Sequence, residues 1–148
     1  MYLYCKSAVK SSKNDDSWPW AVGYNGSVKY VIEGEFCDLN TYIDAERTNR
    51  FLAANIKRQE TDRAAWSVVG KGKVTDYPVI VTFTWYVKDQ RKDADNTDFA
   101  RKFILDGMVK AKVLEDDNRK HVAGFGLCQV LIDKERPRVE VMVEPVTA

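Results

Sequence analysis

Tyr77-Pro78-Val79-Ile80-Val81-Thr82-Phe83-Thr84-Trp85-Tyr86-Val87 is the most regular stretch of the chain. Val79, Val81, Phe83, Trp85 and Val87 alternate with Ile80, Thr82, Thr84 and Tyr86, a period of two in β-branched and aromatic residues that predicts a strand. Both sets tolerate burial, so the strand is expected at the centre of a sheet with both faces covered. It runs through Lys88-Asp89-Gln90-Arg91-Lys92 into Asp93-Ala94-Asp95-Asn96, which places two carboxylates just beyond a rigid element.

Upstream, Lys29 to Phe36 alternates as a second strand, with Tyr30, Ile32 and Gly34 on one face and Val31, Glu33 and Glu35 on the other. Asp38-Leu39-Asn40-Thr41 then supplies cap residues for one long helix reaching about Trp66, before Gly70 and Gly72 end the pattern. On that helix Arg47, Arg50, Lys57 and Arg58 make a basic stripe, and Phe51, Leu52 and Ile56 occupy the arc expected to face the core. Downstream, Asn96 or Thr97 can cap a helix running to Lys110, with Phe99, Phe103 and Leu105 to Met108 on its buried side. Val122 to Ile132 and Arg138 to Val143 read as two further strands around a turn at Asp133-Lys134-Glu135-Arg136-Pro137.

These elements predict an α+β fold in a single domain, a mixed β-sheet with two main helices, over residues 29–148. Residues 1–28 have a different texture and form an N-terminal extension. Asn25-Gly26, between Trp20-Ala21-Val22 and Val28-Lys29-Tyr30-Val31-Ile32, signals an added hairpin. Trp18, Trp20 and Tyr24 there can either pack against the domain or stack on unpaired bases.

A chain of 148 residues suits one ordinary domain, and 45% hydrophobic with 30% charged residues is the balance of a globular protein. No run approaches the roughly 18 apolar residues of a membrane span, and no secretory leader pattern is visible, so a cytoplasmic location without membrane contact is expected. Cys5, Cys37 and Cys128 lack any Cys-x-x-Cys pair, which argues against both a disulfide framework and a zinc ribbon. The net charge of +1 withholds the usual footprint of a nucleic-acid binder, although acids concentrated in a metal site leave basic residues free to form a positive surface elsewhere.

If Asp93 and Asp95 lie on an extended segment, they point the same way about 7 Å apart and can face one cavity. Mg²⁺ is held by one or two carboxylates with waters and substrate phosphate oxygens, so this pair with one further Asp is a sufficient set. An EF-hand starting at Asp93 fails, because position 98 is Asp and position 104 is Ile where Gly and Glu are required. A nucleotide-sugar transferase lacks room for its nucleotide-binding domain. Spacing alone leaves solvated surface acids open as the other reading.

The joint pattern is more specific. Asp93-x-Asp95-Asn96, then Lys102-x-x-x-Asp106-Gly107 on a helix, then Asp116-Asp117 resembles the signature of the RusA family of Holliday-junction resolvases. Ala100 to Gly107, Pro137-Arg138-Val139-Glu140-Val141 and Leu39-Asn40-x-Tyr42-Ile43-x-Ala45-Glu46-Arg47 are similar to its branch in phages and prophages of Gram-positive bacteria. The resemblance spans about residues 29–144. It implies a homodimeric, Mg²⁺-dependent crossover-junction endodeoxyribonuclease, with Mn²⁺ as the substitute ion. Asp93, Asp95 and Asp117 would be its metal-binding catalytic carboxylates and Lys102 its active-site lysine, with Arg101 as the alternative lysine position. Arg47, Arg50, Lys57, Arg91, Lys92 and Arg101 are the residues expected on the backbone of branched DNA. The competing expectation is a branched-DNA-binding protein of the same fold that does not cut, or that cuts a different branched substrate.

One geometric constraint accompanies that assignment. A helix of about 14 residues carries the chain roughly 21 Å, and the seven residues from Ala111 to Asp117 recover at most about 23–25 Å. Asp117 therefore returns beside Asp95 only if the helix is short or bent, or else it approaches a site across a dimer interface.

Overall fold

The computed structural model describes residues 26–146. The first arm of the expected hairpin, Trp20-Ala21-Val22, its turn residue Asn25, and the aromatic residues Trp18, Trp20 and Tyr24 lie outside that range, while the second arm, from Val28 to Ile32, falls in β1. The elements are β1 (Val28–Glu33), α1 (Leu39–Thr48), α2 (Arg50–Val68), β2 (Val79–Val87), α3 (Ala94–Asp98), α4 (Arg101–Lys110), β3 (Val122–Phe125), β4 (Gln129–Ile132) and β5 (Arg138–Pro145).

They form one α+β domain around a mixed sheet. β5 lies between β1 and β2, antiparallel to both, while β3 and β4 run parallel to β2 along its other edge. β2 is central, as its composition predicts. Only one of its faces is fully covered, however. Val79, Val81, Phe83 and Trp85 are buried with Tyr30, Ile32, Val139, Val141 and Val143 against the helices, whereas Ile80, Thr82, Thr84 and Tyr86 stay half-buried on the other face. The alternation of apolar with hydroxyl-bearing residues thus marks a one-sided strand.

Three expected elements are divided. The long helix breaks at Asn49, whose extended backbone (φ −163°, ψ 121°) ends α1 and whose side-chain oxygen accepts from the Phe51 N–H at 2.8 Å to start α2. The break changes the helical phase. Phe51 and Leu52, expected in the core, are exposed, Phe51 by 69%. The second helix divides at Phe99-Ala100 into α3 and α4, and the Val122–Ile132 strand is interrupted between Phe125 and Gln129. At that interruption a Cβ on Gly126 would lie 2.0 Å from the Thr82 hydroxyl, so only glycine lets the chain pass this close to β2.

α2 and α4 cover the buried face of the sheet through Ala64, Val68, Phe103, Ile104 and Met108. They approach closely at Gly107, where a Cβ would stand 2.6 Å from the Ala64 Cβ and 2.7 Å from the Thr61 carbonyl oxygen. α1 joins the helix layer through Tyr42, whose ring packs on Phe99 at 5.4 Å and Phe103 at 5.8 Å.

Candidate functional site

Asp93 is the N-cap residue of α3, with extended backbone angles, and its side chain makes no capping bond. Asp95 lies in the first turn of the same helix. The two are therefore not alternate residues of one extended segment, and the strand-type reason for a shared direction does not apply. Both are exposed, and the Asp95 carboxylate accepts from the neighbouring Asn96 N–H at 2.9 Å.

The loop that presents them is tied to the start of α1. Lys92 Nζ pairs with Asp38 Oδ2 at 2.8 Å, and the Asn40 N–H donates to Asn96 Oδ1 at 2.9 Å. Asp38 is also the N-cap of α1, accepting from the Thr41 N–H at 2.9 Å and the Thr41 hydroxyl at 3.1 Å. Burial opposes ionisation of Asp38, but the bonds from Lys92 and Thr41 outweigh it and hold the carboxyl below its usual range. The Lys88 N–H donates to Glu35 Oε1 at 2.9 Å, a further tether.

Behind the loop, Asp98 is the acid withdrawn from solvent. It accepts from Trp85 Nε1 at 2.9 Å and from the Cys128 thiol at 3.0 Å, and it pairs with Arg101. Arg101 in turn lies over the Phe125 ring, 4.5 Å from its centroid. Sequence reasoning set Arg101 aside for DNA or as the alternative lysine; its guanidinium is engaged inside this network. Its i, i+3 spacing from Asp98 was the available signal.

Asp117 returns to the helix layer within its own chain. α4 ends at Lys110, Lys112 adopts φ 61°, and the Val113 and Leu114 N–H groups close back on the Met108 carbonyl at 3.1 and 3.2 Å. Val113 and Leu114 are buried, the Val74 N–H donates to the Val113 carbonyl at 2.8 Å, and the Glu115 N–H donates to the Tyr77 hydroxyl at 2.9 Å. Asp116 Oδ1 then accepts from the Asp117 N–H at 2.7 Å, making the local turn that presents Asp117. Its Oδ2 meets Lys102 Nζ at 2.8 Å, and the same ammonium meets Asp106 Oδ1 at 2.9 Å, one turn along α4. The division of the expected helix into two short ones thus lets Asp117 reach Lys102 within its own chain, but it does not bring Asp117 to Asp95.

The bonds from Asp117 and then Asp106 raise the pKa of Lys102, and Lys102 in turn holds Asp117 below the usual carboxylate range. Lys102 is charged throughout the neutral range, and its side chain remains 56% exposed.

Lys102, Asp106 and Asp117 are brought together; Asp93 and Asp95 are not part of that group. Asp93 follows the C-terminal end of β2, while Asp117 precedes β3, which begins beside Val79 at the N-terminal end of β2. Among the described residues no three His, Cys, Asp or Glu side chains stand close enough to share one ion. Asp93 and Asp95 offer the one or two hard oxygen donors that Mg²⁺ ordinarily takes, but the full three-carboxylate set does not fit one ion in this arrangement. Of the expected DNA contacts, Arg47 and Lys57 are exposed and Arg50 lies over the Phe51 ring, whereas Arg91 and Lys92 pair with Asp89 and Asp38. Cys37 and Cys128 are free thiols; burial, with Asp38 and Glu60 beside it, pushes Cys37 up to about 11.

No protein-family model and no curated protein matches the chain. No helix among the described residues is long and apolar enough to cross a membrane.

Proposed function

We propose that the chain is a Mg²⁺-dependent structure-specific endodeoxyribonuclease that resolves four-way DNA junctions as a homodimer, with cytoplasmic DNA as its setting. The observation that carries the reading is the meeting of Lys102, Asp106 and Asp117, three residues of the RusA-like pattern drawn from two separate segments. A cation fixed between two carboxylates and still half open to solvent suits contact with a phosphate whose charge grows during hydrolysis.

In this reading Asp93 and Asp95 would hold the ion, and Asp117, the third carboxylate that the resemblance implies, is engaged by Lys102 instead. When bound, the ion supplies charge neutralisation at the phosphate and a more acidic water. Lys102 presents its ammonium to the phosphate, and Asp106 keeps it aligned and charged. Arg47, Arg50 and Lys57 contact the DNA backbone, while Lys92 and Asn96 hold the acidic loop against α1. Two copies related by a twofold axis provide the paired cuts that a four-way junction requires.

The test is cleavage of a synthetic four-way junction in Mg²⁺. Asp95→Asn is expected to abolish cutting while leaving junction binding in place, and retained cutting removes Asp95 from the site. The separation of Asp117 from the Asp93 pair favours a second reading, a protein that binds branched DNA without cutting it. A retarded junction band with no nicks from the wild-type protein in either Mg²⁺ or Mn²⁺ selects that reading.

A further inference from the structure

α2 carries large apolar side chains that nothing among the described residues covers. Phe51, Leu52, Trp66 and Val69 are all exposed, Trp66 by 80%. At 100° per residue, Phe51, Asn55, Arg58, Asp62, Trp66 and Val69 fall on one narrow stripe, turned away from Ala53, Ala64 and Val68 and bordered by the buried Ala65. Exposed apolar residues scattered singly require no explanation, but several aligned on one helix do.

The order of residues along the stripe is self-complementary. Position 60 lies midway between Phe51 and Val69 and also midway between Arg58 and Asp62. An antiparallel second α2, related by a twofold axis at that position, sets Phe51 against the other copy's Val69, Trp66 level with its Ala54, and Arg58 against its Asp62. Every contact then occurs twice, as an isologous interface demands. A partner of unrelated sequence would not require apolar ends and opposite charges to balance about one midpoint.

We propose that the Phe51–Val69 stripe of α2 is the surface on which a second copy of this chain docks, antiparallel, with Trp66 as its anchor. Trp is the side chain most often dominant in such contacts, and the flanking Arg58–Asp62 pairs set register and direction. Within one chain Arg58 donates to Asn55 Oδ1 at 2.8 Å and Asp62 pairs with Lys110, so both remain at the surface in the free chain. Lys57 lies 100° around the helix from Arg58, whereas Arg50 borders the stripe with its guanidinium over the Phe51 ring, 5.1 Å from its centroid. The dimer rests on the helix alone and holds whether or not the acids bind metal.

Sedimentation equilibrium of the full chain is expected to show a monomer–dimer equilibrium. Trp66→Glu should weaken it about tenfold or more. Arg58→Asp should weaken it as well, and adding Asp62→Arg should restore it, because the reversed charges still match across the twofold axis. As a measurement that survives a poorly behaved charge variant, Phe51→Cys chains mixed with Val69→Cys chains should form a disulfide-linked heterodimer on mild oxidation. The two positions are about 27 Å apart on one helix, which forbids the bridge within a chain. A monomer at every concentration overturns the proposal. So does a dimer indifferent to Trp66→Glu, failure of the double reversal to restore association, or absence of the mixed cross-link.

Discussion

Lys102 Nζ and Asp117 Oδ2 lie 2.8 Å apart, joining the first turn of α4 to the turn that precedes β3. The contact makes stability depend on pH in a defined way. The pKa of Asp117 is depressed by Lys102, so its contribution is complete above the ordinary carboxylate range and lost as pH falls through the depressed value. The pKa of Lys102 is raised by Asp117 and Asp106, so its contribution is complete below the ordinary lysine range and lost as pH rises through the raised value. Urea unfolding of wild type and Asp117→Asn should therefore differ most between these limits and converge in acid. A constant difference down to pH 2 would remove the ion pair as its source.

Gly107 allows α2 and α4 to approach. Gly107→Ala places a methyl against the Ala64 Cβ and the Thr61 carbonyl oxygen, and the backbone on one side must move. The higher helix propensity of alanine offsets less than the overpacking, which costs about 1–3 kcal/mol. Thermal unfolding should show a clear fall in Tm. An unchanged or raised Tm would show that the two helices separate freely.

The division between what could be read from the residues and what could not follows their periodicity. β1, β2 and β5 emerge from strict alternation, because one buried face fixes every second residue. The Asn49 break does not, since the apolar residues around it continue a plausible helical phase and only the cap-type residue hints at a boundary. Phe51 and Leu52 were misplaced for that reason. At the candidate site, the i, i+4 pair Lys102 and Asp106 was legible. The approach of Asp117 was not, because it depends on where α4 stops. Asn96 and Asp98 were invisible as tethers, since their partners Asn40, Trp85 and Cys128 come from distant segments.

Asp98 is the group on which two of those segments, carrying Trp85 and Cys128, converge together with Arg101 of α4. Asp98→Ala leaves the Trp85 indole N–H and the Arg101 guanidinium without their acceptor in a largely covered place. Losing a charge-assisted partner there costs about 2–4 kcal/mol. The loss should appear in chemical denaturation together with a change in Trp85 emission, whereas Asp89→Ala, at an exposed surface pair, should cost well under about 1 kcal/mol. Equal effects from the two substitutions would show that Asp98 is no more than a surface acid.

Lys112 offers the opposite case, a position where the sequence is worse than it could be. Its φ of 61° lies in the left-handed region, which costs an L-residue with a Cβ roughly 1–2 kcal/mol. The conformation turns the chain off α4 so that Val113 and Leu114 enter the core and Asp117 reaches Lys102. Glycine adopts the same angle freely, although it loses more backbone entropy on folding, a cost of about 0.5–1 kcal/mol. Lys112→Gly should therefore stabilise the domain by up to about 1 kcal/mol, seen as a raised Tm, and leave the Lys102–Asp117 contact and its pH dependence unchanged. A fall in stability would mean that Lys112 contributes a contact of its own that outweighs the relief at its backbone.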